Sequence, residues 1–139
     1  MDGDFTAGQA VRVSGLPYPV LDYWAKSGFI VPSITTAAGS GSQRRYSFRD
    51  VVALRVAREL RDAGISLQSL RKVIGKLKES EGIENPLAEE RLILAGDDVV
   101  LVRSEEELLS QIRRPGQLYL TAVVNLANVV EELRKAIAA

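Results

Sequence analysis

Phe48, Val52, Val56, Leu60 and Ala63 recur at intervals of three and four, a spacing that predicts a helix running to about Asp62 with one buried stripe. Ser47 and Asp50 stand as a capping-box variant at its start, and Gly64 closes it. The pattern resumes after Ser66, a second cap, with Leu67, Leu70, Val73, Ile74 and Leu77 turned inward. Two shorter helices come first. Thr6 caps "AGQAVRV" and Gly15 ends it. In "PYPVLDYWAKSG", Pro17 and Pro19 fit a first turn, where a missing N–H does no harm, and Gly28 is the stop. Val20, Leu21 and Trp24 form its inner side. Tyr18, Asp22 and Lys26, four residues apart, share the exposed one, with Tyr23 at its edge.

Elsewhere the helical period gives way. "FIVPSITTAAGSGSQRRYSF" has a β-branched start, a glycine-bearing middle and an aromatic end, which predicts a hairpin with a loose tip. The polar "ESEGIENP" marks a boundary, dividing the chain into domains at 1–80 and 81–139. Beyond it, "RLILAGDDVVLV" reads as two strands about a Gly-Asp turn. Ser104 and Glu107 repeat the capping box, "RRPG" ends that helix, "QLYL" offers a third strand, and a helix is expected from about Ala122 to Ala138. Val123, Leu126, Val130, Leu133 and Ile137 alternate spacings of three and four, an a/d seam suited to a partner helix in a dimer, or to the chain's own sheet. The expected fold is α+β, mainly α, with a small C-terminal α+β domain built on a hairpin and a long last helix.

Composition narrows the chemistry. The chain has no Cys and no His, which removes disulfides, thiolate nucleophiles, imidazole bases and the usual transition-metal ligands. No acidic run has calcium-loop spacing, so no metal or cofactor is expected. Asp97, Asp98 and Glu105–Glu107 fall in a turn and a first helical turn, where acids need no catalytic role, and an enzyme is not expected. No stretch approaches the roughly 18 apolar residues of a membrane helix. The start, with Asp2 and Asp4, is not that of a signal peptide. A cytoplasmic protein is the resulting expectation. The zero net charge hides an asymmetry: residues 1–80 hold 12 Lys and Arg against 7 Asp and Glu, whereas residues 81–139 hold 6 against 11. A basic first half suits a polyanion.

The order of the first elements, two short helices joined by "SGLP", then a hairpin and two longer helices, is that of a winged helix-turn-helix. The residues agree. "SGLPYPVLDYWAKSGFIVPS" and "RRYSFRDVVALRVARELRDAGISLQSLRKVI" resemble the DNA-binding domain of MerR-type transcription regulators over about residues 5–78. The Tyr23–Trp24 pair, Gly28, Pro32, the wing exit at Arg44–Ser47 and the "AGISLQSLR" joint carry the resemblance. A narrower one, in "LDYWAKSGFIVPS", "AAGSGSQRRYSF" and "VVLVRSEEELLSQIRRPGQ", is to an actinobacterial branch linked to cell-division genes.

The resemblance implies double-stranded DNA as partner, a homodimer, and RNA polymerase or an effector as further partners. In the family a wing arginine grips phosphate, and Arg44 matches it; the planar fork of Arg suits that task. Arg45 stands where the family often has an apolar residue. Ser42 and Gln43 complete the candidate set on the wing, Tyr23 is a phosphate contact by family position, and Arg12 is a further candidate on the first helix. One departure matters: the family's early arginines of the second helix are replaced here by Pro19 and Asp22. A carboxylate cannot hold phosphate, but it can accept from cytosine N4 or orient a neighbouring Tyr or Lys. The competing reading is a DNA-binding antitoxin or accessory protein whose acidic second half neutralises a protein partner.

Overall fold

Thr6, Ser47, Ser66, Ser104 and Asn125 each accept a backbone N–H with a side-chain oxygen, and each of these bonds opens a helix. The computed structural model describes residues 3–35, 43–95, 98–112 and 122–139. In chain order the elements are β1 (Phe5–Thr6), α1 (Ala7–Ser14), α2 (Tyr18–Lys26), β2 (Arg45–Tyr46), α3 (Phe48–Asp62), α4 (Leu67–Glu79), β3 (Arg91–Ala95), β4 (Asp98–Val102), α5 (Glu105–Ile112), β5 (Ala122–Asn125) and α6 (Leu126–Ala138). The fold is α+β and mainly α, as expected. Gly15 and Gly28 follow α1 and α2 with φ of 81° and 82°, a left-handed turn that a Cβ would strain.

α3 is the central element. Phe48, Val51, Val52, Ala53, Leu54, Val56, Ala57 and Leu60 are all buried, so most of its circumference is covered, more than the single stripe that periodicity suggests. It packs against α1, α4, α6 and β2. Three of its charged residues bond neighbouring elements. Arg49 donates to the carbonyls of Lys78 and Ser80, at 3.1 Å each, where α4 ends. Arg55 pairs with Glu59 at 3.1 Å and with Glu132 of α6 at 2.7 Å. Asp50 closes the capping box with Ser47 and also accepts from the Ser33 amide and hydroxyl at 2.8 and 2.7 Å. One carboxylate thus ties the segment leading into the hairpin to the start of the central helix.

Two inward assignments fail at the ends of these helices. Ala63 is exposed, as the residue just past the last turn of α3, and Leu67 is 44% exposed at the first position of α4. The hairpin's two legs meet where Thr35 bridges Arg45; its tip, including Ser42, lies outside the described residues. Sequence reasoning missed β1. Phe5 pairs with Tyr46 and Thr6 with Arg45, so the chain's beginning supports the hairpin's exit.

In the second half β3 pairs with β4 in the expected hairpin and with β5 on its other side, both antiparallel, giving the order β4-β3-β5. The "QLYL" stretch lies outside the described residues. The last helix starts at Leu126 instead of Ala122, because Val123 and Val124 pair with Ile93 and Leu92 and Asn125 caps the helix. This corrects the a/d seam. Val123 is on a strand, while Leu126, Val130 and Leu133 are 0%, 3% and 0% exposed within the protomer's own core, and Ile137 packs half-buried against it. From Leu126 onward the spacing of three and four serves packing on α3 and the sheet, which covers Leu126, Val130 and Leu133 within the protomer. The core itself runs past residue 80, joining Leu70 and Val73 to Leu92, Val124 and Leu126. Polar 79–86 conceals a plug: Ile83 is 1% exposed, and buried Glu90 accepts from Ser80 Oγ and the Leu87 amide.

Two stability measurements follow from this packing. Leu133→Ala is expected to cost about 2–5 kcal/mol in a urea titration, as for other fully buried leucines, without changing the oligomeric state. Loss of assembly at unchanged stability would restore the seam. The Tyr46 hydroxyl is buried without a hydrogen-bond partner among the described residues, and burial pushes its pKa up to about 12. Because an unpaired buried hydroxyl costs about 1–3 kcal/mol, Tyr46→Phe is expected to leave the midpoint unchanged or raise it. A clear drop would mean that the hydroxyl has a partner.

Candidate nucleic-acid interface

α2 owes its orientation to its two ends and one inner face. Pro17 caps it in an extended conformation, and after Gly28 the chain folds back so that the amides of Phe29 and Ile30 both reach the Trp24 carbonyl, at 3.0 and 3.3 Å. The Trp24 and Phe29 rings meet edge-on with centroids 5.0 Å apart, and Arg71 of α4 lies over Phe29. With Leu21 and Trp24 buried, the opposite face turns to solvent. Tyr18 and Tyr23 are 52% and 64% exposed there, and the Lys26 side chain 69%.

The base of the hairpin comes up beside this face. Tyr46 points into the core, so strand alternation sets Arg44 on its side of β2 and Arg45 on the other. Arg44 Nη1 donates to Asp22 Oδ1 at 2.7 Å, and Lys26 Nζ lies 3.1 Å from Asp22 Oδ2. Arg45 Nε donates to Asp4 Oδ1, also at 2.7 Å. Hydrogen bonding to Arg44, then to Lys26, holds the Asp22 carboxyl below the usual carboxylate range, and Arg45 does the same for Asp4. The partners answer in kind: Asp22 raises Arg44 and Asp4 raises Arg45.

Together these residues line a concavity of about 580 Å³ whose walls are the start of α1 (Thr6, Ala7, Gly8), the outer face of α2 (Tyr18, Asp22, Lys26) and the hairpin base (Gln43, Arg44). Of the sequence-derived candidates, Tyr18, Asp22, Lys26, Gln43 and Arg44 are brought together here, with Tyr23 exposed on the same helix. Arg45 sits on the other side of its strand. Arg12 is elsewhere: its Nη1 donates to the Ala136 carbonyl at 3.2 Å, in the last turn of α6, and it takes no part in this concavity. Thr6 to Gly8 and Asp4 were missed. A two-residue strand leaves no periodicity to read, and the Asp4–Arg45 pair spans 41 residues.

An open groove lined by two cations, the carboxylate that pairs with both, an amide and one tyrosyl hydroxyl, with Tyr23 exposed on the same helix, can meet an anionic, hydrogen-bonding polymer. Its donors suit phosphate oxygens and its exposed helix face suits base edges. No cluster of three or more metal-binding side chains exists among the described residues, and no described helix is long and apolar enough to cross a membrane.

The chain is similar in sequence to known regulators. Over 104 residues the chain is 40% identical to an uncharacterized HTH-type transcriptional regulator of Mycobacterium tuberculosis, a match covering 75% of this chain and 45% of that protein. A regulator of the same description in Mycobacterium bovis gives the same figures. The HTH-type transcriptional regulator HmrR of Sinorhizobium medicae is 34% identical over 67 residues, 48% of this chain and 44% of that protein. The chain thus spans about half the length of the curated relatives it matches. A family model described as MerR HTH family regulatory protein matches residues 5–77, more than half of the chain and all of the elements that build the groove, and the chain belongs to that family.

Proposed function

We propose that this chain is a sequence-specific regulator of transcription that binds double-stranded DNA as a homodimer at promoters. One observation carries the reading: the exposed face of α2 and the base of the hairpin present Tyr18, Tyr23, Lys26, Gln43 and Arg44 on one surface, with the inner face of α2 buried. In the proposed docking, α2 enters the major groove and the hairpin lies along the flanking backbone as a wing. Lys26 and the unused donors of Arg44 meet phosphate, while Tyr18 and Tyr23 reach phosphate or base edges. The family membership and the relatives' names as transcriptional regulators support it. The link to cell-division genes rests on the resemblance of the sequence alone. RNA polymerase or an effector would be met by the second half.

Leu126, Val130 and Leu133 of the seam are buried in the core, so dimerisation would use other apolar side chains. α5 buries none of its residues, leaving Leu109 and Ile112 42% and 47% exposed, and Val123 on β5 is 46% exposed. These apolar side chains of the second half are the ones a second copy would cover. Of the carboxylates considered for catalysis, Glu107 has a structural use, its side chain accepting from the Arg103 amide while its own amide donates to Ser104 Oγ, and Asp97 lies outside the described residues.

Binding to duplex DNA is expected to weaken steeply with salt, through release of condensed counterions. Arg44→Ala combined with Arg45→Ala should lower affinity across sequences and flatten the log–log salt slope by about one to two units. Wild-type affinity and slope in this variant would remove the wing from the interface. The chain is further expected to sediment as a dimer at micromolar concentration, and Leu109→Asp with Ile112→Asp to give a folded monomer. A monomeric wild-type chain would end the homodimer reading.

A further inference from the structure

The acid on the DNA-facing helix is the feature that the proposed function leaves unexplained. Asp22 sits between Tyr18 and Lys26 on the outer face of α2, where a carboxylate would repel phosphate. Yet neither of its oxygens is free. Oδ1 takes Arg44 Nη1 at 2.7 Å and Oδ2 takes Lys26 Nζ at 3.1 Å. The Arg44 side chain is only 13% exposed, although it belongs to the rim of an open groove. It is therefore held down, in one orientation.

The connectivity adds a second argument. The hairpin base is tied by its backbone to β1, through Thr6 and Arg45, and across its own legs, through Thr35 and Arg45. Asp50 ties its first leg to α3. Among the described residues, the Arg44–Asp22 bond is the one hydrogen bond or ion pair between the hairpin's second leg and α2, and its partners lie 22 residues apart. A guanidinium has five N–H donors in one plane, so fixing Nη1 on a carboxylate orients the rest and leaves them for a further acceptor.

We propose that Asp22 is a positioning residue of the DNA interface: its carboxylate clasps Arg44 and Lys26 into one preset fork, joining wing to α2, which a phosphodiester oxygen of duplex DNA then enters. This rests on the reading of α2 and the wing as the DNA-binding surface. The cluster of one carboxylate and two cations keeps a net positive charge, so it attracts phosphate while the entropy of holding a long Arg and Lys in place is already met before binding.

The sign of one mutation separates this from its rivals. Removing Asp22 adds a net positive charge to a surface that meets a polyanion, so simple electrostatics demands tighter binding to all DNA. Loss of a clasp demands the reverse. The full-length chain is titrated onto a duplex that the wild type selects from a random pool, at several salt concentrations, with circular dichroism confirming that each variant is folded. Asp22→Ala and Asp22→Asn are expected to bind about tenfold more weakly, a size typical of coupled neighbours. Their salt slope should flatten by about one unit, and Asp22→Glu should recover most of the affinity. In an Arg44→Ala background, Asp22→Ala should add little, because the clasped group is gone. Equal or tighter binding by Asp22→Ala overturns the proposal. So does a loss confined to a single base pair of the site, which makes Asp22 a base reader. A folded wild type that selects no duplex overturns the DNA-binding reading itself, and this proposal with it.

Discussion

Burial of α3 is the constraint on which the rest of the architecture depends. A helix covered on most of its circumference needs apolar side chains at its buried positions, and each large one removed from water contributes about 1.5–3 kcal/mol. That stabilisation is collected only if α1, α4, α6 and the hairpin exit all arrive at once. Three of the charged groups on α3 tie it to these neighbours. Arg49 satisfies carbonyls at the end of α4, Arg55 grips α6, and Asp50 holds the hairpin's first leg. None of them faces the candidate groove. They fix the elements that do.

The two halves of the chain share this helix. α6 lies on α3 and α1, with Arg12 bonded to its last turn and Arg134 stacked 5.2 Å from the Phe48 ring centroid. The basic first half and the acidic second half thus meet through specific pairs such as Arg55–Glu132, and part of the charge asymmetry seen along the sequence is cancelled in space.

Local chemistry explains why some features were legible and others were not. Caps at Thr6, Ser47, Ser66 and Ser104, the glycine stops, and the β3–β4 hairpin are encoded within a few residues, so the sequence displays them directly. The faces of α2 followed from helical spacing. Features set by distant partners were hidden. β1 exists because β2 offers it an edge, and residues 122–125 are a strand because β3 does. By spacing alone those valines fit a helix equally well. The a/d spacing of α6 was real, but a seam on a partner and a seam on one's own core look alike in one dimension. The bond from Arg12 to the end of α6 was hidden for the same reason, its acceptor lying 124 residues away. Of the candidate site, the helix face and Arg44 were readable, while the bond that joins them was not.

The ion pairs at the groove also decide which solution variable can reach it. With no His and no Cys in the chain, no side chain has an ordinary pKa between pH 5 and 8. The environment pushes the relevant groups further from that range: Asp22 and Asp4 downward by their arginines, Tyr46 upward by burial. A carboxylate with a depressed pKa keeps its pair intact above its ordinary value and loses it only as pH falls through the lower one. Across the physiological span of acidity, then, the groove is an electrostatic constant. Ions compete with it; protons do not.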